Sequence, residues 1–218
     1  MQGEIEKVAY TLFRAPCAVT GAGRTDKGVH AVAQVVSVVV PSKMSSHRLL
    51  VAFNGLLPPD ISIGSVRAVP ASFNPRYDAK EKIYRYVIWN NPNRSVWVHK
   101  YAWHIVQPLD VSRMKKAATF LVGTHDFNAF TASGCTQEDR TVRMKQIIIT
   151  RSAGKMTLTF RGDRFLYKMI RIIVGTLADA GRGIIPPEKL HKILESGDRR
   201  KAGRTAPPQG LFLQKVIF

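Results

Sequence analysis

Gly21-Ala22-Gly23-Arg24-Thr25-Asp26-Lys27-Gly28-Val29-His30-Ala31 lies between two apolar runs, residues 18–20 and 32–40, that read as strands. Gly21, Gly23 and Gly28 permit backbone paths that a Cβ would strain. Asp26 is the only carboxylate of the stretch, and Arg24 and Lys27 stand on either side of it. A turn needs Gly, and Asp or Asn at most; it has no need of Arg-Thr-Asp-Lys.

Three readings of the stretch compete. One is a polar connection whose Asp is simply solvated. A phosphate cradle is the second; Gly21-Ala22-Gly23 opens like a dinucleotide fingerprint, but the third glycine is misplaced and a strand follows where a helix should begin. The third is a lone catalytic carboxylate kept ionised by arginine. The rest of the chain favours it.

The 218 residues allow one large domain or two small halves. No apolar run approaches the roughly 20 residues of a membrane span, and nothing resembles a signal peptide. The 33 Lys and Arg against 15 Asp and Glu give a formal charge of +18. Such a chain attracts polyanions, with nucleic acid ahead of an anionic membrane. The charge is dispersed through the folded pattern, which predicts a basic cleft. Cys17 and Cys135 are far apart and fit reduced thiols, hence a reducing intracellular compartment. The six histidines form no metal-ligand pattern, so the sequence gives no basis for a metal.

Ile5, Val8, Ala9, Leu12 and Phe13 predict an amphipathic helix almost from residue 1. Strands are predicted at 17–22, 31–40 and 61–69, with a helix over 48–56 capped by Ser45 or Ser46. From Ile83 the chain alternates: Ile83, Arg85 and Val87 face one way, Tyr84, Tyr86 and Ile88 the other. Tyr84 reads either as a packed strand residue or as a platform for a nucleobase. A short strand is predicted at 101–106, and the second half begins near Gln107. Asp110 or Ser112 caps a helix through Leu121, and residues 123–130 read as a structural loop. Strands at 146–151 and 155–161 form a hairpin. Residues 162–177 are predicted helical, with Arg164, Lys168 and Arg171 as one basic stripe. Arg171 stands among Ile170, Ile172, Ile173 and Val174, where a charge is unfavourable unless it is paired or reaches water. A helix through Leu194 and a final strand from Leu211 complete the chain. Each half thus reads as α/β with antiparallel strands, an α+β protein overall.

Residues 23–31 resemble the catalytic motif of the TruA-type tRNA pseudouridine synthases. Residues 73–88, Gly-Thr-His-Asp-Phe at 123–127, Gly-Asp-Arg-Phe-Leu-Tyr-Lys-Met-Ile-Arg at 162–171 and the closing loop at 202–211 are similar to further segments of that family, in the same order. The resemblance implies two related halves, 1–106 and 107–218, sharing one largely antiparallel sheet flanked by helices, with a basic cleft between them (the pseudouridine synthase fold). It implies an isomerase acting on uridine in the anticodon stem-loop of tRNA, without cofactor, as a homodimer. Asp26 is then the essential residue, Tyr84 packs against the target uridine, and Arg171 sits beside Asp26. A guanidinium there favours the ionised carboxylate and fixes its direction. Arg24, Lys27, His30, Arg164 and Lys168 are candidates for holding the flipped nucleotide and its phosphates. In that family a strand precedes the first helix and lies within the sheet. This chain opens at the helix, which predicts unpaired strand edges and a partly uncovered helix face, and brings in the alternative of a non-catalytic RNA-binding member. A generic DNA-binding module has no helix-turn-helix or finger signal in its favour.

Overall fold

A computed structural model describes all residues, Met1–Phe218, as two compact units. The first comprises Met1–Arg24 and Val35–Ala79, and the second Thr25–Gln34 and Lys80–Phe218.

In the first unit, helix α1 (Gln2–Phe13) buries Ile5, Val8 and Ala9, the stripe its periodicity predicts, and ends at Arg14 in the left-handed conformation. The stripe packs with Cys17, Val19 and Phe53. Strand β1 (Val19–Gly21) pairs antiparallel with β3 (Val36–Val38) and with no other strand. Helix α2 (Ser46–Leu56) starts at Ser45, whose hydroxyl accepts from the Arg48 amide. The strand predicted at 61–69 does not form. The Asn54 side chain accepts from the Ile63 amide at 2.7 Å and donates to its carbonyl at 2.9 Å. Both ladder groups of Ile63 are thereby taken by a side chain.

The second unit is built on a seven-stranded sheet. Strands β2 (His30–Ala31), β4 (Glu81–Asn90), β5 (Trp103–Ile105), β6 (Gly123–Asp126), β7 (Thr141–Ser152), β8 (Lys155–Gly162) and β9 (Leu211–Ile217) run in the order β2-β9-β4-β8-β7-β6. β5 pairs with the far end of β4. The β2–β9 and β4–β5 pairs are parallel and the remainder antiparallel. The single strand predicted at 31–40 is two strands, β2 and β3, that join different sheets. Residues 123–126, predicted as loop, pair with β7.

Helices α3 (Val111–Thr119), α4 (Met169–Gly181) and α5 (Lys189–Ser196) share one core with the sheet. Met156, Leu158 and Phe160 are fully buried at every second position of β8, and Tyr86 and Ile88 do the same on β4. Asp110 caps α3, accepting from the Ser112 and Arg113 amides. The helix predicted over 162–177 begins only at Met169, because Lys168 adopts a left-handed conformation (φ 57°). Arg164 and Lys168 therefore precede the helix, and the basic stripe does not exist. The architecture is the mixed α+β arrangement the resemblance implies, with a mostly antiparallel sheet and helices against it.

Candidate active site

Asp26 begins a tight turn in which its carbonyl accepts from the Val29 amide at 3.0 Å. Gly28 provides the positive φ (82°) that the turn requires. A Cβ there would also come within 3.1 Å of Pro208. Directly after the turn, β2 pairs with Phe212 and Leu213 of β9. The Asp26 loop is thus seated where the closing loop runs into the last strand.

Arg171 lies in the first turn of α4. Its Nη1 donates to Asp26 Oδ2 at 2.6 Å, and the two side chains are only 12% and 20% exposed. Its Nε donates to the Ala206 carbonyl at 2.8 Å, while the Ala206 amide donates to the Arg171 carbonyl at 2.9 Å. One guanidinium therefore joins the helix, the closing loop and the carboxylate. The low exposure of both side chains leaves little water to compete for the pair, which strengthens a charge-assisted bond.

Tyr84 follows a bulge: on β9, Ile83 faces Lys215 and Tyr84 faces Leu213. Such an irregularity re-aims a side chain next to a site. Its ring meets the edge of Phe165 with centroids 5.2 Å apart. Burial, and secondarily the negative charge of Asp26, push the Tyr84 hydroxyl up to about 12. It therefore stays a neutral phenol through the physiological range, able to stack and to donate.

The other candidate residues are placed differently. The His30 ring stacks on Phe212 at 4.9 Å, lies 5.1 Å from Tyr101 and shares a hydrogen bond with the Lys100 carbonyl. Lys27 is exposed. Arg164 pairs with Asp139 at 3.1 Å, and Lys168 lies over the Tyr167 ring at 4.8 Å. Arg24 is exposed and belongs to the first unit.

Sequence reasoning missed Tyr86, Phe165, Ala206 and Pro207 as parts of the site. For Tyr86 the signal was its place two residues after Tyr84, on the same face of the strand. No local pattern marks Ala206, which acts through its backbone.

A sequence profile described as tRNA pseudouridine synthase matches residues 3–78 and 117–218. A protein named tRNA pseudouridine synthase A from Thermoanaerobacter sp. (strain X514) is 43% identical over 198 residues, 91% of this chain and 81% of that protein. Proteins of the same name from Brevibacillus brevis and Bacillus subtilis are 41% and 38% identical, each aligned with all of this chain and 89% of their own length. The chain belongs to the tRNA pseudouridine synthase family, a family of isomerases that convert uridine in tRNA to pseudouridine. No helix is long and apolar enough to cross a membrane.

Proposed function

We propose that this chain isomerises uridine in the anticodon stem-loop of tRNA, with Asp26 as the catalytic carboxylate, Arg171 as its partner and Tyr84 as the base platform. The observation that carries the assignment is the sheltered Asp26–Arg171 pair beside the neutral Tyr84. The reaction breaks the C1′–N1 bond, turns the uracil and joins C5 to C1′. N1 gains a proton and C5 loses one, so the balance closes without an external reactant. Attack on C1′, attack on the base and removal of a sugar proton each require one ionised carboxylate facing the nucleoside. Arg171 donates to Asp26 and fixes the direction of its carboxylate. Tyr84 offers an aromatic face, worth about 1–3 kcal/mol against a base, and an O–H donor.

The nucleotide is flipped out to reach the pair, which is least unfavourable in a loop or at the end of a stem. Exposed Lys27 and the +18 formal charge suit an RNA substrate held by shape and phosphate. The same reading makes the enzyme a homodimer. It is supported by an apolar cluster within one segment: Val96, Trp97 and Tyr101 are 70%, 87% and 51% exposed. Sedimentation at micromolar concentration should give a dimer, and a monomer would remove this part of the assignment.

The deciding experiment measures pseudouridine formation in a tRNA transcript by the parent and by Asp26→Asn. Product from the parent alone, with equal tRNA affinity for both, is the expected outcome. Product from both would dismiss Asp26 as the catalytic group. No product from either, with tRNA still bound, would identify a non-catalytic RNA-binding member.

A further inference from the structure

The closing loop, residues 202–210, supplies no charged group to the Asp26–Arg171 pair, yet several contacts fasten it. Gly203 donates to the Thr176 hydroxyl at 2.9 Å, and that hydroxyl donates to the Ile172 carbonyl of the same helix at 2.9 Å. The Tyr86 hydroxyl donates to the Pro207 carbonyl at 2.7 Å. Glycines allow the close approach: a Cβ on Gly210 would stand 2.7 Å from the Tyr86 ring, and one on Gly175 would stand 1.8 Å from the Arg204 carbonyl. Tyr86 is fully buried, and burial pushes its hydroxyl well above the ordinary tyrosine value, so it remains a donor. A second anchor for the ring is Trp103, edge-on at 6.4 Å. Pro207 adjoins Ala206, whose carbonyl accepts the Arg171 Nε.

We propose that Tyr86 is a positioning residue for the isomerisation: its hydroxyl fixes the Pro207 carbonyl, which holds the Ala206 carbonyl where it aims the Arg171 guanidinium at Asp26. The proposal rests on the catalytic reading of Asp26 and Arg171 given above. β4 then serves the site twice from one face, through Tyr84 beside the carboxylate and through Tyr86 behind the arginine. Without the Tyr86 bond the Pro207–Pro208 peptide loses its anchor, the Ala206 carbonyl one peptide back gains freedom, and Arg171 can rotate about its side-chain bonds away from the direction Asp26 needs. The chemical step suffers while the tRNA-binding surface is untouched.

Tyr86→Phe removes one oxygen and keeps the ring that Gly210 and Trp103 pack against. Loss of a single hydrogen bond predicts a roughly three- to tenfold fall in the single-turnover rate, with the dissociation constant for tRNA within about twofold of the parent. Arg171→Lys keeps the charge but lacks the Nε that binds Ala206, so adding Tyr86→Phe to it should cause no further loss. Parent-like turnover in Tyr86→Phe would overturn the proposal. So would an equal proportional loss in the Arg171→Lys background, or a loss explained wholly by weaker tRNA binding. If Arg171→Lys shows no measurable turnover, the division of the Tyr86→Phe effect between rate and affinity decides alone. Loss in rate supports the relay and loss in affinity overturns it. Thermal melting of each variant separates these effects from unfolding. Asp26→Asn, run alongside, distinguishes failure of the relay from failure of the catalytic reading, because only the latter predicts product from that variant.

Discussion

Arg171 Nη1 donates to Asp26 Oδ2 at 2.6 Å, across 145 positions of sequence. The pair is sheltered but not sealed: Asp26 keeps 20% of its side chain exposed. Arg171 is committed on both sides, through Nη1 to the carboxylate and through Nε to Ala206.

Arg171→Ala should abolish measurable turnover and destabilise the fold by about 2 kcal/mol, since Asp26 loses the partner that offsets its partial burial. Replacing an exposed arginine such as Arg113 should change both by far less. Comparable losses in activity from the two variants would contradict the catalytic role of the pair.

Tyr84 predicts a specific alkaline behaviour. Its hydroxyl is raised from 10.0 to about 12 in the folded state, so the stability it contributes is complete below about pH 10 and lost as pH rises through 12. Comparing chemical denaturation of the parent and Tyr84→Phe from pH 8 to 12 isolates this contribution. The difference between them should shrink or reverse above pH 10, whereas a constant difference would deny the shift.

Glu81 predicts the opposite limb. It is paired with Arg161 of β8 and Lys145 of β7, and Lys145 is the extra residue of a bulge between Met144 and Gln146. Hydrogen bonds from Arg161 first, then Lys145, lower its carboxyl from 4.5 to about 2. The stability it contributes is present above pH 4.5 and lost as pH falls through 2. Glu81→Gln should therefore melt earlier than the parent at pH 6, with the gap closing by pH 2. A gap independent of pH would show that packing, not charge, is what Glu81 contributes.

Gly175→Ala tests how closely the closing loop lies on α4. The added methyl would overlap the Arg204 carbonyl, and backbone must move to admit it. A destabilisation of about 2–3 kcal/mol is expected from such overpacking, measured by denaturant unfolding. An unchanged midpoint would mean that the loop is free to lift.

Affinity for tRNA should fall steeply with salt, with a logarithmic slope of about −0.7 to −0.9 for each phosphate contacted. Titrations between low and physiological salt measure it directly. A flat response would remove phosphate contacts from the account of binding.

The sequence by itself determined the elements whose patterns are short. The stripe Ile5-Val8-Ala9 made α1 and the alternation after Ile83 made β4, while a cap for α3 was legible at Asp110 or Ser112 and the structure uses Asp110. The residues that carry the pair were legible as well: Asp26 as a single carboxylate in a glycine-bearing loop, and Arg171 as a cation in an apolar run that needs either a partner or water. Tertiary structure decided the rest. The apolar run at 31–40 was divided because β2 found β9 and β3 found β1. Residues 61–69 did not become a strand because Asn54 took both ladder groups of Ile63. Helical periodicity continued on paper through 162–168, but the chain turns at left-handed Lys168 before α4 begins. Ala206 became part of the site only because the closing loop lies close on α4 and Tyr86. Spacing within one turn or one strand is set by local backbone geometry and is readable in order along the chain. A backbone carbonyl meeting a guanidinium 35 positions away depends on how whole elements pack, and no neighbouring residue encodes it.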